Sequence, residues 1–207
     1  MTRVLTAVAV ILLCGFAGLH GWEVARFAHA RAGLAPGNDR ADAVRGWIGV
    51  PGVAGAALEA ALRQMPEAVD SHAAGRRSDA LAALLAERPL SSTLWLALAG
   101  ARLVSGQPYV TVLLALAMAR LTGPNEGRLM LERGIFGFLQ WETLPLETRG
   151  QVLSDFARAI GGMPVGDLAI APTKNVIAAK SADDRRDIGD RLRAEGLAPS
   201  ELARLGL

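Results

Sequence analysis

Residues 89–140, PLSSTLWLALAGARLVSGQPYVTVLLALAMARLTGPNEGRLMLERGIFGFLQ, decide the fold. Leucine, alanine and other apolar side chains run through this stretch without the strict alternation of a strand, and SGQP at 105–108 and TGPN at 122–125 interrupt them. Glycine and proline punctuate helices, so the pattern predicts helices over 92–105, 108–121 and 125–140. Ser91 or Ser92 can cap the first and Asn125 the third, because their side-chain oxygens accept from amide groups that lack a helical partner. Pro108 and Pro124 stand near helix starts, where proline forfeits no helical bond.

The same reading extends outward. Val53 to Gln64 is rich in alanine and leucine and stops before Pro66, and further helices are expected near 78–87 and 146–160. Breakers cluster in GLAPGN at 33–38 and GWIGVPG at 46–52. LAIAPTKNVIAA at 168–179 is ambiguous between helix and strand. From Ser181 the tail reads as an amphipathic helix carrying Ile188 and Leu192, with Arg185 and Arg191 on alternate faces. Asp183 and Asp184 suit the positive end of its dipole, and a short helix follows Pro199. Leu197, Leu202, Leu205 and Leu207 dock either on the domain or on a partner. Period-two runs are almost absent, so the expected class is all-α. The expected organisation is a tail at 1–3, an anchor at 4–22, a stalk and linker at 23–52, a helical domain at 53–165 and a helical segment at 166–207.

Composition excludes several classes of function. Of 207 residues, 51% are hydrophobic and 20% charged, enough apolar material for a core and too much for disorder. The balance of 22 Lys+Arg against 20 Asp+Glu leaves a net charge of +2, which gives nucleic-acid binding no support. A single cysteine, Cys14, precludes an intramolecular disulfide, and the 3 histidines form no zinc-ligand pattern. No cofactor or metal is implied.

Residues 4–19, VLTAVAVILLCGFAGL, carry no charge. Extended to Trp22 the run reaches about 28 Å as a helix, enough to span lipid, with Arg3 and Trp22 at its two interfaces. A cleavable signal peptide is the rival reading, since Ala28-His29-Ala30 offers small residues, although it lies well past the apolar run. Arg26, Arg31 and Arg40 follow the segment and oppose export, but a large domain after a lone anchor translocates largely regardless of nearby charge. The expectation is a single-pass protein of a bacterial inner membrane, in contact with lipid, with its helical domain periplasmic. Gly15, Gly18 and Gly21 leave self-association of the anchor open.

An internal register is visible between Pro89 and Pro124. Laying one over the other aligns Trp95 with Met130, Ala99 with Gly134 and Leu103 with Phe138, the small-against-large pattern that lets two helices approach closely. Through Trp95, Leu98, Ala99 and Pro124 the chain resembles the tetratricopeptide repeat family, whose unit is about 34 residues of helix–turn–helix. Arg102 stands where that family has an aromatic residue and Thr111 where it has alanine. The resemblance spans at most 53–160 and implies antiparallel helix pairs stacked as a short solenoid that binds protein partners. RPLSSTLW (88–95), LTGPNE (121–126) and QWETLPLE (140–147) also resemble phrases of small membrane-anchored bacterial proteins associated with surface-polysaccharide assembly.

Four residues stand out as candidate partner-binding groups. Trp95 and Trp141 are potential aromatic anchors, with core packing as the alternative. Arg102 and Arg133, on the first helices of successive units, are placed to line a concave face and to hold a carboxylate, with an exposed or internally paired arginine as the alternative. Glu126, Glu132, Glu142 and Glu147 invite a two-carboxylate glycosidase reading, but no spacing singles out a pair. His72 lies in a polar stretch with Arg76, Arg77 and Asp79 and reads as a solvated loop residue. His20 and His29 do not form a dyad with Cys14, which sits in an apolar segment that no polar substrate would reach. The leading expectation is therefore a non-catalytic, membrane-anchored adaptor. A small glycan hydrolase and a purely structural subunit of a membrane complex are the alternatives.

Overall fold

Each aliphatic run bounded by proline or glycine becomes a helix. The computed structural model describes Arg26 and residues 54–64, 70–162 and 167–207. Among these residues the chain is all-α: α1 (Ala54–Gln64), α2 (Ser71–Glu87), α3 (Ser92–Val104), α4 (Tyr109–Thr122), α5 (Gly127–Leu139), α6 (Leu146–Gly162), α7 (Asp167–Ala178), α8 (Ala182–Ala194) and α9 (Pro199–Leu205). The chain forms two compact units, Met1–Ala115 and Leu116–Leu207.

In the first unit α2 packs on both α1 and α3. Helix α2 begins seven residues before the expected position 78, because Asp70 caps it by accepting from the Ala73 amide at 2.7 Å. His72 accordingly lies exposed on a helix and not in a loop. Leu81, Leu84, Leu98, Ala99 and Val112 are fully buried. Gln107 Nε2 donates to Ser78 Oγ at 3.1 Å, tying the link after α3 back to α2. That link turns at Gly106, whose φ of 70° suits a residue without a side chain.

In the second unit α5 lies against α6, α7 touches α5 and α9, and α8 touches α6 and α9. A Cβ built on Gly134 would fall 2.7 Å from Phe156 Cβ, and one on Gly137 would fall 2.5 Å from Val152 Cγ2. Advancing along α5 thus means receding along α6, so the two helices are antiparallel, and the glycines bring their axes close. Phe138 meets Phe156 edge to face at 4.9 Å between centroids. Leu197, Leu202 and Leu205 are buried, which settles the tail as docked on this unit. The ambiguous 168–179 segment is helical despite Pro172 inside α7.

The expected caps differ in detail. Ser91 and Glu126 occupy the N-cap positions of α3 and α5, and neither makes a side-chain capping bond; Asn125 lies one residue earlier.

The expected single-pass placement in a bacterial inner membrane, with a periplasmic domain, does not stand. Among the described residues no helix is long and apolar enough to cross a membrane. The longest, α2 and α6, have 17 residues each and carry Arg76, Arg77 and Asp79 or Glu147, Arg149, Asp155 and Arg158, whereas spanning takes about 20 predominantly apolar residues. The 4–22 run from which that placement was read lies outside the described residues, as do the tail at 1–3, nearly all of the stalk at 23–52, Cys14, Gly15, Gly18, Gly21, His20, His29 and the 28–30 motif.

Candidate functional site

Helix α4 is apolar nearly all round, and among the described residues only one side of it is buried. Val112, Ala115, Leu116 and Ala119 are at most 4% exposed, while Val110, Leu114 and Leu121 are 61%, 59% and 73% exposed. With exposed Ala117, the outer set recurs at steps of four, three and four residues, which places it on one stripe of a helix. An all-apolar helix ordinarily has both faces covered, so this stripe is a surface feature that packing among the described residues leaves unexplained.

Beside the end of that stripe lies an unusual ionic cluster. Arg133, on α5, is 1% exposed and donates from Nε to Asp155 Oδ2 at 2.7 Å. Its Nη1 donates to the carbonyls of Ala119 at 3.3 Å and Gly123 at 3.1 Å, so it also caps the C-terminal end of α4. Nη2 is buried without a partner. Asp155, 1% exposed, receives Arg158 Nη2 on Oδ1 at 2.9 Å and has Arg120 Nε 3.5 Å from the same oxygen. Three guanidinium groups therefore surround one carboxylate, two cations in excess.

Arg120 and Arg158 face outward from the cluster, with side chains 35% and 47% exposed. Together with Ala117, Leu121, Pro124 and Gln151 they line an open cleft of about 560 Å³. Its walls are aliphatic and its polar groups are two guanidiniums and one amide, a set that can hold an anionic group beside apolar surface. The amide of Gln151 is shared with Glu147 Oε1 at 3.4 Å.

The four residues singled out from sequence fall two in each unit. Trp141 is fully buried, its ring beneath Arg149 Cζ at 5.1 Å and its Nε1 without an acceptor. Arg133 is committed to Asp155 and the α4 carbonyls. Neither presents a surface to a partner. Trp95 is half-buried and donates from Nε1 to the Pro89 carbonyl at 2.8 Å. Arg102 is also half-buried, donates from Nη1 to the Thr111 carbonyl at 2.9 Å and leaves Nε buried and unpartnered. Both are engaged locally, within the first unit, whereas Arg133 and Trp141 belong to the second.

The glutamates are likewise separate. Glu132 pairs with Arg128 at 2.8 Å, Glu142 lies 3.5 Å from Lys180, and Glu126, Glu142 and Glu147 are exposed. None of the four lines the cleft.

Asp155, Arg120 and Arg158 escaped the sequence reading, although one signal was present. Asp155 stands between Val152 and Phe156 on the apolar face of α6, and an acid on a buried face implies a buried cation.

Comparisons with protein-family models, with curated proteins and with solved structures find no match for the chain.

Proposed function

We propose that the chain is a non-catalytic adaptor, a short helical-repeat-like module that binds a protein partner. The observation that carries this reading is the uncovered stripe Val110, Leu114, Ala117 and Leu121 on α4, whose opposite face is buried. A row of aliphatic groups at helical spacing matches the geometry of a helix-in-groove or helix-on-helix contact. The hydrolase alternative finds no such support, because the glutamates it needs pair with other groups or stand in solvent.

The 35-residue register supports the repeat-like part of the reading. Helices α3 and α5 are each 13 residues long and begin at Ser92 and Gly127. Their N-cap residues have φ/ψ of −83°/100° and −79°/97°, and neither makes a side-chain capping bond. Leu98 and Ala99 of one helix correspond to Arg133 and Gly134 of the other, all buried. Repeat modules of this kind present extended surfaces for partners, and their ligands are set by surface residues and not by the fold.

The test is site-specific photo-crosslinking of the full chain in its native cell, with a benzophenone amino acid at Leu114 or Leu121 and a control at Asp183. A discrete crosslinked protein at the two α4 positions and not at the control is the expected result. Products identical at all three positions, or none at the α4 positions, refute the adaptor.

A further inference from the structure

We propose that the cleft between the end of α4 and α6 receives an acidic, aliphatic segment of a partner protein, with its carboxylates on Arg120 and Arg158 and its apolar side chains on Ala117, Leu121 and Pro124. This inference rests on the adaptor reading and specifies the chemistry of the partner.

Charge decides the sign of the occupant. Asp155 cannot neutralise Arg120, Arg133 and Arg158, and even with Glu147, the acceptor for Gln151, counted the guanidiniums outnumber the carboxylates. A guanidinium carries five N–H donors. Arg158 spends one nitrogen on Asp155, and Arg120 makes only the longer 3.5 Å ionic contact. Each therefore retains donors for a second acceptor, and together they suit a carboxylate. Arg133 and Asp155, both buried, hold the arrangement from beneath, so the two outer side chains approach a ligand partly preorganised.

The aliphatic wall decides the kind of occupant. A free inorganic anion would satisfy the guanidiniums but leave Leu121, 73% exposed, and its apolar neighbours in water. A peptide segment that alternates acidic and aliphatic side chains covers both. Ala117, one turn before Leu121 on the same helix, is exposed as well and extends the aliphatic wall.

The experiment is selection of a random-peptide display library on the immobilised full chain, followed by fluorescence-anisotropy titration of the enriched peptides. Enriched sequences should combine Asp or Glu with Leu, Ile or Phe. Their affinity should fall at least about tenfold in Arg120→Gln/Arg158→Gln, survive in Arg120→Lys/Arg158→Lys, and weaken with added salt. Leu121→Ser should weaken binding as well.

If the double variant melts early, Arg120→Gln alone decides, since the contact of Arg120 with Asp155 is the loosest in the cluster. No enrichment, enrichment of neutral or basic peptides, unchanged affinity in the charge-removing variants, or displacement by inorganic phosphate as effective as by peptide overturns the proposal. A crosslinked partner at Leu114 or Leu121 whose capture ignores Arg120 and Arg158 would leave the adaptor standing and remove this inference; absence of any crosslink removes the adaptor itself.

Discussion

Arg133 and Asp155, 22 residues apart in sequence, meet at 2.7 Å with side chains only 1% and 2% exposed. The pair is asymmetric. Asp155 has two further arginines at its other oxygen, whereas Arg133 has no second carboxylate. Removing Arg133 leaves the acid partnered; removing the acid leaves a buried guanidinium with only carbonyls, beside two more cations. Asp155→Asn should therefore cost about 3–5 kcal/mol, the usual penalty for orphaning a buried charge, and Arg133→Met distinctly less. Urea melts of the two variants check this ordering, and equal losses would refute it.

The glycines of α5 permit a second ranking. Gly134→Ala and Gly137→Ala place a methyl 2.7 Å and 2.5 Å from Phe156 and Val152, so the helices must part, at a cost of about 1–3 kcal/mol. Gly100, in α3, and Gly150, in α6, have nothing within 4 Å of a new Cβ. There alanine should stabilise by about 0.5–1 kcal/mol through helix propensity alone. Thermal melting of the four single variants should divide them into two groups of opposite sign.

Much of this fold is legible in sequence because helix boundaries are local. Proline and glycine at 105–108 and 122–125 separate α3, α4 and α5 without help from tertiary contacts. The start of α2 is less legible, because SHAAGRRSD reads as a polar stretch until Asp70 is recognised as its cap. Helix α7 is ambiguous because Pro172 argues against a helix and only packing decides the matter. The cleft is a different case. Arg120, Gln151 and Arg158 come from two helices, and no spacing links Arg120 to Asp155; only the unexplained acid on the apolar face of α6 hinted at a buried cation. Exposed tryptophans and arginines are likewise indistinguishable from buried ones in a single sequence, so Trp141 and Arg133 stood out for a role that their burial does not serve.

Trp141 contributes volume and not a hydrogen bond. Its ring packs 6.2 Å from Phe138 and under Arg149, while its indole N–H is buried without an acceptor. Trp141→Phe removes that stranded donor together with some packing, and the two changes offset, so the net loss should stay below about 1.5 kcal/mol. Trp141→Ala creates a cavity and should cost about 3–5 kcal/mol. Denaturant melts distinguish the two. A phenylalanine variant as damaged as the alanine one would mean that the N–H has a partner after all.

Pro172 is the clearest internal conflict in the chain. It is the sixth residue of α7, where a proline removes the amide that would otherwise bond to the carbonyl of residue 168. The helix persists because Ile170 and Ile177 are buried, at 4% and 0% exposure, and apolar burial outweighs a local backbone defect of roughly 3 kcal/mol. Pro172 itself is exposed, so replacing it removes no buried contact. Pro172→Ala should accordingly raise stability by about 1–3 kcal/mol and slow amide exchange along α7. If exchange in α7 is instead unchanged and the melting temperature falls, the proline is holding a bend that the packing of α7 on α5 and α9 requires, and the burial argument for this helix fails.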